Sequence, residues 1–467
     1  MKILLLLALG LAGNSFAKNE VITLSNYLDK VQVKNDNYNS YLEKKKASKL
    51  LGAEGELLYS TQLEASANYS DDRRPTTSAA FQGNQTRSDL ARIGLSKSTS
   101  TGTDLKLSYN YSKTNIIGAD SNLVPEDQFV ENFTRLELSQ SLLRNAFGRE
   151  IQSKEKVIKL NRVSAELRAG YNARLVLLDA QNLYYQLVVS KASIDIQKES
   201  LDRSKEINSW TKRRYNKKLT DKTDYLQSIA ALSQRELDYR IAQDEFSRLV
   251  LLFNSLQGVE SSSIPYDLDM SEIEVALNFD ANSLNSETDK LKAEQALYDS
   301  DLEAQSGNLE TLKPDLKFSL SASMYGRNTE ASEAFDDSFT TDRPVYAIGL
   351  SFTMPLDFSS TKKARNGYKA QKLVSAYRYK RIKFEEEVNM RNLRRQYSEL
   401  KSQYLLVSNL EKAQKNKLQN EIKIQKRGRS TTFQVLNFEQ EYLSTQMRKM
   451  QLKSNIAKIY TDLLVFK

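Results

Sequence analysis

Leu105-Lys106-Leu107-Ser108-Tyr109-Asn110-Tyr111-Ser112 alternates apolar and polar side chains one for one. Successive side chains of a β-strand point to opposite faces, so this period of two predicts a strand with one apolar and one polar face. The turn Thr99-Ser100-Thr101-Gly102 precedes it, and before that Ala91-Ile93-Leu95 alternates with Arg92-Gly94-Ser96. Further out, Leu63, Ala65, Ala67 and Tyr69 alternate with Gln62, Glu64, Ser66 and Asn68, and Leu136-Leu138 marks a fourth run. Phe318-Leu320-Ala322-Met324 and Ile348-Leu350-Phe352-Met354 repeat the pattern later in the chain. Two architectures give such runs: tilted strands of a membrane barrel, about 10 residues each, and a soluble sandwich with one solvated face. The polar stretches 73 to 87, 115 to 130 and 327 to 343 fit the barrel, whose outer loops are long and whose inner turns are short. Tyr59, Tyr69, Tyr109, Tyr111 and Tyr346 at the run ends suit either an interfacial girdle or simple packing.

Composition removes several classes of function. The 467 residues include no Cys and no His, so a disulfide framework, a thiolate or imidazole metal site and a nucleophile paired with His or Cys are excluded. No carboxylate pair or glycine-rich phosphate loop stands out. Asp71-Asp72 and Asp336-Asp337 fall in expected outer loops, where solvation or loose cation binding suits them better than acid–base chemistry. No catalytic, cofactor or metal site is expected. The net charge of +9 is mild for this length, and with no aromatic-basic module a nucleic-acid partner is not expected.

The first residues combine Lys2, the apolar run Ile3 to Leu11 and Ser15-Phe16-Ala17. That is the pattern of an export signal over residues 1–17 with cleavage before Lys18, and the apolar run is too short to span a bilayer. Without Cys the mature N-terminus is not lipidated. An exported chain lacking long apolar helices enters a membrane only as closed β-structure.

Proline, which breaks helices, occurs at 75, 125, 265, 314, 344 and 355. Long helices are therefore expected at about 147–215 and 360–427, each near 100 Å at 1.5 Å per residue. Shorter ones are expected at 20–57, 222–257, 283–312 and 431–464. End to end, two short helices match one long one, which suggests a cylinder of uniform height. Leu393, Tyr397, Leu400, Tyr404 and Val407 keep a 4-3-4-3 spacing. So do Leu436, Gln440, Leu443, Met447, Met450, Ser454, Ala457, Thr461 and Leu464. A 3.5 period predicts coiled-coil packing, in a filled bundle or a hollow ring alike.

The plan also repeats, as short helix, strands, long helix, tight turn and short helix. Leu136-Glu137-Leu138-Ser139-Gln140-Ser141-Leu142-Leu143 corresponds to Ile348-Gly349-Leu350-Ser351-Phe352-Thr353-Met354-Pro355. The turn Lys217-Lys218-Leu219-Thr220-Asp221 corresponds to Arg427-Gly428-Arg429-Ser430-Thr431, with Thr220 and Ser430 expected as N-caps and Gly428 as a left-handed helix stop.

With this order of motifs, the whole mature chain resembles the TolC-like outer-membrane efflux and secretion channels. The resemblance implies a mainly α fold with a membrane β-barrel section, in which a homotrimer forms one barrel continuous with a long periplasmic α-helical coiled-coil barrel. It implies repeats at 18–257 (strands about 58–145) and 283–467 (strands about 314–356), joined by an equatorial linker at 258–282. It implies a duct in the outer membrane of a Gram-negative envelope, in contact with lipid. That duct serves a tripartite efflux pump or a type I secretion system, and is engaged by a periplasmic adaptor (membrane fusion) protein and an inner-membrane transporter. The adaptor-docking tips would be Lys218, Leu219, Thr220, Asp221 and Asp224, with Gly428, Arg429, Ser430, Thr431 and Gln434.

The sequence departs from the family plan in three places. Lys218 stands where the first turn would have Gly, Gln434 stands opposite Asp224, and the first half carries four strands where two are usual. If the extra hairpin around Gly102 joins the barrel, three chains supply eighteen strands. Residues 205–222 hold seven basic and two acidic side chains, and 412–429 hold seven and one. Arg213, Arg214, Lys217, Lys426 and Arg427 thus make either a basic mouth for an acidic adaptor surface or anionic cargo, or solvated helix ends that offset the macrodipole. A competing plan, an exported coiled-coil stalk or envelope spacer, accounts for the helices and leaves the alternating strands unused.

Overall fold

The computed structural model describes residues 21–281, 284 and 287–467. The expected export signal at 1–17 lies outside the described residues, as do the first residue of the expected helix 20–57 and most of the junction between the linker and helix 283–312. The chain divides into two compact units, one of residues 45–167 and 290–383 and the other of the described residues among 1–44, 168–289 and 384–467.

In chain order the elements begin with β1 (Val21–Ile22), α1 (Leu24–Lys34), α2 (Asp36–Leu51), α3 (Glu54–Leu57), β2 (Gln62–Asp72), α4 (Ala79–Gln82), β3 (Gln85–Ser98), β4 (Thr103–Ile117) and β5 (Gln128–Ser141). They continue with α5 (Arg149–Asn216), α6 (Lys222–Leu256), β6 (Asp267–Leu268), α7 (Glu272–Leu277) and α8 (Asp289–Thr311). Last come β7 (Asp315–Asn328), α9 (Ala331–Asp337), β8 (Pro344–Thr353), α10 (Phe358–Lys426) and α11 (Thr432–Leu463). No described helix is long and apolar enough to cross a membrane.

The unit of residues 45–167 and 290–383 is built on one antiparallel sheet in the order β2-β3-β4-β5-β7-β8. The hairpin around Gly102 lies within this sheet, since β3 pairs with β2 and β4 pairs with β5. Register aligns the alternation across all six strands. Leu63, Leu95, Leu107, Leu136, Ala322 and Tyr346 form one row, and Leu105, Leu138, Leu320 and Ile348 form another. Both rows are open to the surroundings, with Leu63 68% and Ile348 75% exposed. The opposite face carries Glu64, Gly94, Ser108, Arg135 and Ser323 in one row, and Ser108 and Ser323 are buried. Arg135 Nε donates to Ser323 Oγ at 3.0 Å on that face. In the middle of the sheet apolar side chains lie out and polar side chains are covered, the inverse of a soluble sandwich, while at its edges Glu64 and Val345 of the opposite face are exposed.

The long helix α5 starts two residues later than the expected 147. Asn145 and Phe147 adopt left-handed backbone, and Gly148 at φ +72° passes so close to Ser100 that a Cβ would lie 1.9 Å from its carbonyl oxygen. The helix can begin only after that crossing, at Arg149. α10 starts at Phe358, two residues early, because Asp357 Oδ1 accepts from the Ser360 backbone N–H at 2.9 Å.

The other unit holds the main hydrophobic core. Tyr27 of α1 stacks on Phe253 of α6 with ring centroids 3.9 Å apart, and Tyr184 of α5 donates from its hydroxyl to Ile22 O at 2.8 Å. The expected single helix 20–57 is replaced by β1 and three helices. Asn35 resets the chain between α1 and α2, because its Oδ1 accepts from Tyr38 N at 3.0 Å and its Nδ2 donates to Leu256 O at 3.1 Å. The linker expected at 258–282 carries regular structure. β6 pairs in parallel with β1, and α7 offers Ala276 O to the Tyr397 hydroxyl of α10 at 2.8 Å. On α11 the buried stripe runs one residue ahead of the expected seam, through Val435, Glu439, Tyr442, Gln446, Ile456, Tyr460 and Leu463. Within the expected seam Gln440 is exposed and Leu443, Ala457, Thr461 and Leu464 are buried.

Candidate functional site at the hairpin tips

Helices α5 and α10 end in the same way, one hydrogen bond at a time. At the first tip the backbone N–H of Leu219 donates to Arg214 O at 2.9 Å and that of Lys218 donates to Tyr215 O at 2.9 Å. At the second, Arg429 N–H donates to Ile424 O at 3.1 Å and Gly428 N–H donates to Gln425 O at 2.8 Å. This nested pair is the Schellman termination, and it needs a left-handed residue at its apex. Gly428 takes φ +76° at no steric cost, whereas Lys218 is held at φ +60° with a side chain attached.

The returning helices are capped by Asp221 and Thr431, each one residue beyond the expected Thr220 and Ser430. The Schellman closure uses residues 218–219 and 428–429, which leaves residues 220 and 430 as the link and puts the extended backbone of a cap at 221 and 431. Thr431 Oγ1 accepts from Gln434 N at 3.2 Å, while Asp221 caps with its backbone alone. Thr220 and Ser430 tie down the turns instead. The Thr220 hydroxyl donates to Asp224 Oδ2 at 2.7 Å, and the Ser430 hydroxyl donates to Glu421.

The two tips share one cavity of about 600 Å³, lined by Lys218, Leu219, Thr220, Asp221, Asp224, Gly428, Arg429, Ser430 and Thr431 together with Trp210, Arg214 and Thr432. Nine of the ten expected tip residues therefore meet around it. Gln434 does not line it and contributes only its backbone N–H to the Thr431 cap. The expected basic mouth divides. Arg214 folds inward, with its guanidinium 4.8 Å from the Trp210 ring centre and donating to Leu219 O at 3.0 Å. Arg213 and Lys426 line a neighbouring groove, and Lys217 and Arg427 are exposed.

Several residues that hold the tips together have no motif that marks them in the sequence. The hydroxyls of Thr211 and Thr432, both buried, lie 3.2 Å apart and join one tip to the other. Farther up, buried Glu439 accepts from Ser200 and Arg203. Trp210 has one available signal: it is the sole Trp and stands four residues before Arg214, the spacing at which helical side chains meet.

Among the described residues no cluster of acidic side chains suits a metal ion. No protein-family model matches the chain, and no curated protein matches it by sequence. Solved structures do match. The outer membrane protein VceC of Vibrio cholerae aligns over 94% of this chain and 95% of its own, with a TM-score of 0.69 and 12% identity. The open state of the outer membrane channel MtrE of Neisseria gonorrhoeae aligns over 95% of this chain and 88% of its own (TM-score 0.64, 14% identity). The outer membrane channel CmeC of Campylobacter jejuni aligns over 95% and 84% (TM-score 0.64, 13% identity). From the six-stranded sheet to the paired long helices, the chain has the fold of the TolC-like outer-membrane channels.

Proposed function

We propose that this protein is an outer-membrane exit duct, a passive conduit of a tripartite efflux pump or a type I secretion system in a Gram-negative envelope. The observation that carries this reading is the sheet: its exposed rows are Leu, Ile, Ala and Tyr, while the row behind them carries Gly94, Ser108, Arg135 and Ser323 at its middle, with Ser108 and Ser323 buried. Such a sheet suits lipid on one side and water on the other. Among the described residues no further strand pairs with its edges β2 and β8. Open edges are unstable in a bilayer. Three copies joined edge to edge close them, and six strands from each chain give eighteen. A structural stalk would have no use for this face.

In this reading the exported chain has its strands in the outer membrane and its helices in the periplasm. An adaptor protein docks on the hairpin tips and links the duct to an inner-membrane transporter. The test is planar-bilayer conductance of the particle extracted from outer membranes. Discrete, long-lived conductance steps support a duct. A protein that never conducts, alone or with candidate adaptors, removes it.

A further inference from the structure

Between β7 and β8 the chain folds back as α9, which packs on β7 and β5. Gly326 makes the room, since a Cβ there would lie 2.1 Å from Ala334 O and 2.6 Å from Ser338 N. Gly326 pairs with Asn132, and alternation puts both on the face of Leu136 and Ala322, the apolar face of the sheet. Asn132 is covered, and its amide, turned with the oxygen toward them, accepts from the Tyr109 hydroxyl at 3.1 Å and from Phe335 N–H at 3.3 Å. Ala334 and Ser338 are fully buried beneath the helix. Phe335 and Phe339 pack on the Tyr109 ring at centroid distances of 5.6 and 6.0 Å, yet stay 48% and 55% exposed.

This seat coincides with the place where the apolar face gives out. On β2 and β3 the row of Asn132 continues as Ala67 and Ala91, and Tyr69 extends it on β2. On β5 and β7 the same row is Asn132 and Gly326, and Thr134 stands in the row before it. The apolar positions of β7 run from Leu316 to Met324. That is about 27 Å along the strand, or about 21 Å along a membrane normal at the usual tilt, short of the roughly 25 Å band of outer-membrane barrels. α9 covers the polar groups and puts two phenyl rings in their place, which levels the band across the sheet. Glu333, Asp336 and Asp337 of the same short helix hold it at the water boundary, because carboxylates do not enter hydrocarbon.

We propose that α9 is a lipid anchor: Phe335 and Phe339 lie in the outer leaflet, at the boundary of headgroups and acyl chains, and seal the Tyr109–Asn132 bond beneath them. The partner is a bilayer surface, because the two rings continue the face on which Leu107, Leu136 and Ile348 are exposed. The inference rests on the duct reading, which puts this sheet in lipid, and adds the element that sets the outer edge of its apolar band.

The chain has no Cys, so one introduced Cys carries a nitroxide spin label without background. The full-length protein is reconstituted in phosphatidylcholine bilayers with the label at Phe339→Cys, at Leu107→Cys or at Thr341→Cys, in separate samples. Collisions are read with oxygen, which concentrates in hydrocarbon, and with a nickel chelate, which stays in water. The expected result is an oxygen preference at 339, a stronger one at 107 and a nickel preference at 341. A nickel preference at 339 puts the ring in water and overturns the inference. Screening from both reagents at 339 puts protein over the ring and overturns it too, as does an oxygen preference that appears only when anionic lipid is added. Gly326→Val, which drives a side chain into the backbone of α9, is expected to turn the label at 339 from oxygen to nickel while the label at 107 keeps its preference. An unchanged label at 339 in that variant overturns the seating on which the anchor depends. The label at 107 keeps the two readings apart. If it prefers nickel, the sheet is not in lipid and the duct reading fails; if it prefers oxygen while the label at 339 does not, the anchor alone fails.

Discussion

Arg203 of α5 donates from Nε and from Nη2 to the buried carboxylate of Glu439 on α11, at 2.9 and 3.0 Å. Ser200 Oγ adds a third bond at 2.8 Å. The neighbouring Gln440 accepts from Arg235 of α6. Consecutive residues of α11 therefore fasten it to two different helices. A buried carboxylate left without its cation is costly, so Glu439→Gln is expected to be tolerated better than Arg203→Ala. The latter strands the charge, at about 3 kcal/mol. Thermal unfolding of the detergent-solubilised protein checks this, with the larger fall in Tm for Arg203→Ala.

Lys218 and Gly428 occupy equivalent apexes with φ of +60° and +76°. Lys218→Gly is expected to stabilise the protein by about 0.5–1 kcal/mol through relief of left-handed strain. Gly428→Ala is expected to destabilise it by about 1 kcal/mol, and for a purely backbone reason, since a Cβ there would meet nothing nearer than Arg214 Nη1 at 3.9 Å. Opposite signs of ΔTm for the two substitutions are the readout.

Burial pushes the Asp462 carboxyl above its ordinary value, against the pull of Lys458 and with a further push from Asp179. The folded form therefore holds the Asp462 proton more tightly than the unfolded chain does. The resulting stability is fully present below the unfolded pKa of about 3.9 and is lost as pH rises through the higher folded value. Asp462→Asn, which keeps the neutral shape, is expected to raise Tm at pH 7 and to have little effect near pH 3.

On the sheet, Leu107 and Ser108 are neighbours with opposite surroundings: Leu107 is 47% exposed on the apolar face and Ser108 is 2% exposed on the other. If lipid covers the apolar face, Leu107→Arg costs about 2–4 kcal/mol at the bilayer midplane. The expected result is loss of assembled protein from the outer-membrane fraction. Leu219→Arg, at an exposed tip position, is expected to assemble normally.

Some of this architecture is readable in the residues and some is not, for physical reasons. The strand alternation around Leu105 and Tyr109 survives because register forces every second side chain onto one face. The second helix stop is legible in Gly428, whereas the left-handed Lys218 carries no such signal, because a side chain is not what that conformation selects. The caps lie one residue beyond the Thr and Ser that the turn pattern favours, because a Schellman closure consumes two residues before the extended link begins. The break at Asn35 is not legible in the local sequence, because its side chain is anchored on Leu256, more than 200 residues away. The α11 stripe through Val435 and Tyr442 includes Glu439 and Gln446, polar residues that hide a seam from a hydrophobicity pattern. Trp210 and Gln425 are separated by more than 200 positions, and only folding brings them to one groove.

The central claim, a trimeric duct closed through its sheet edges, is tested most directly by the native mass of the particle extracted in mild detergent from purified outer membranes. A protein mass three times that of the mature chain is the predicted result. A monomer, or an elongated dimer recovered from the soluble periplasmic fraction, would contradict it.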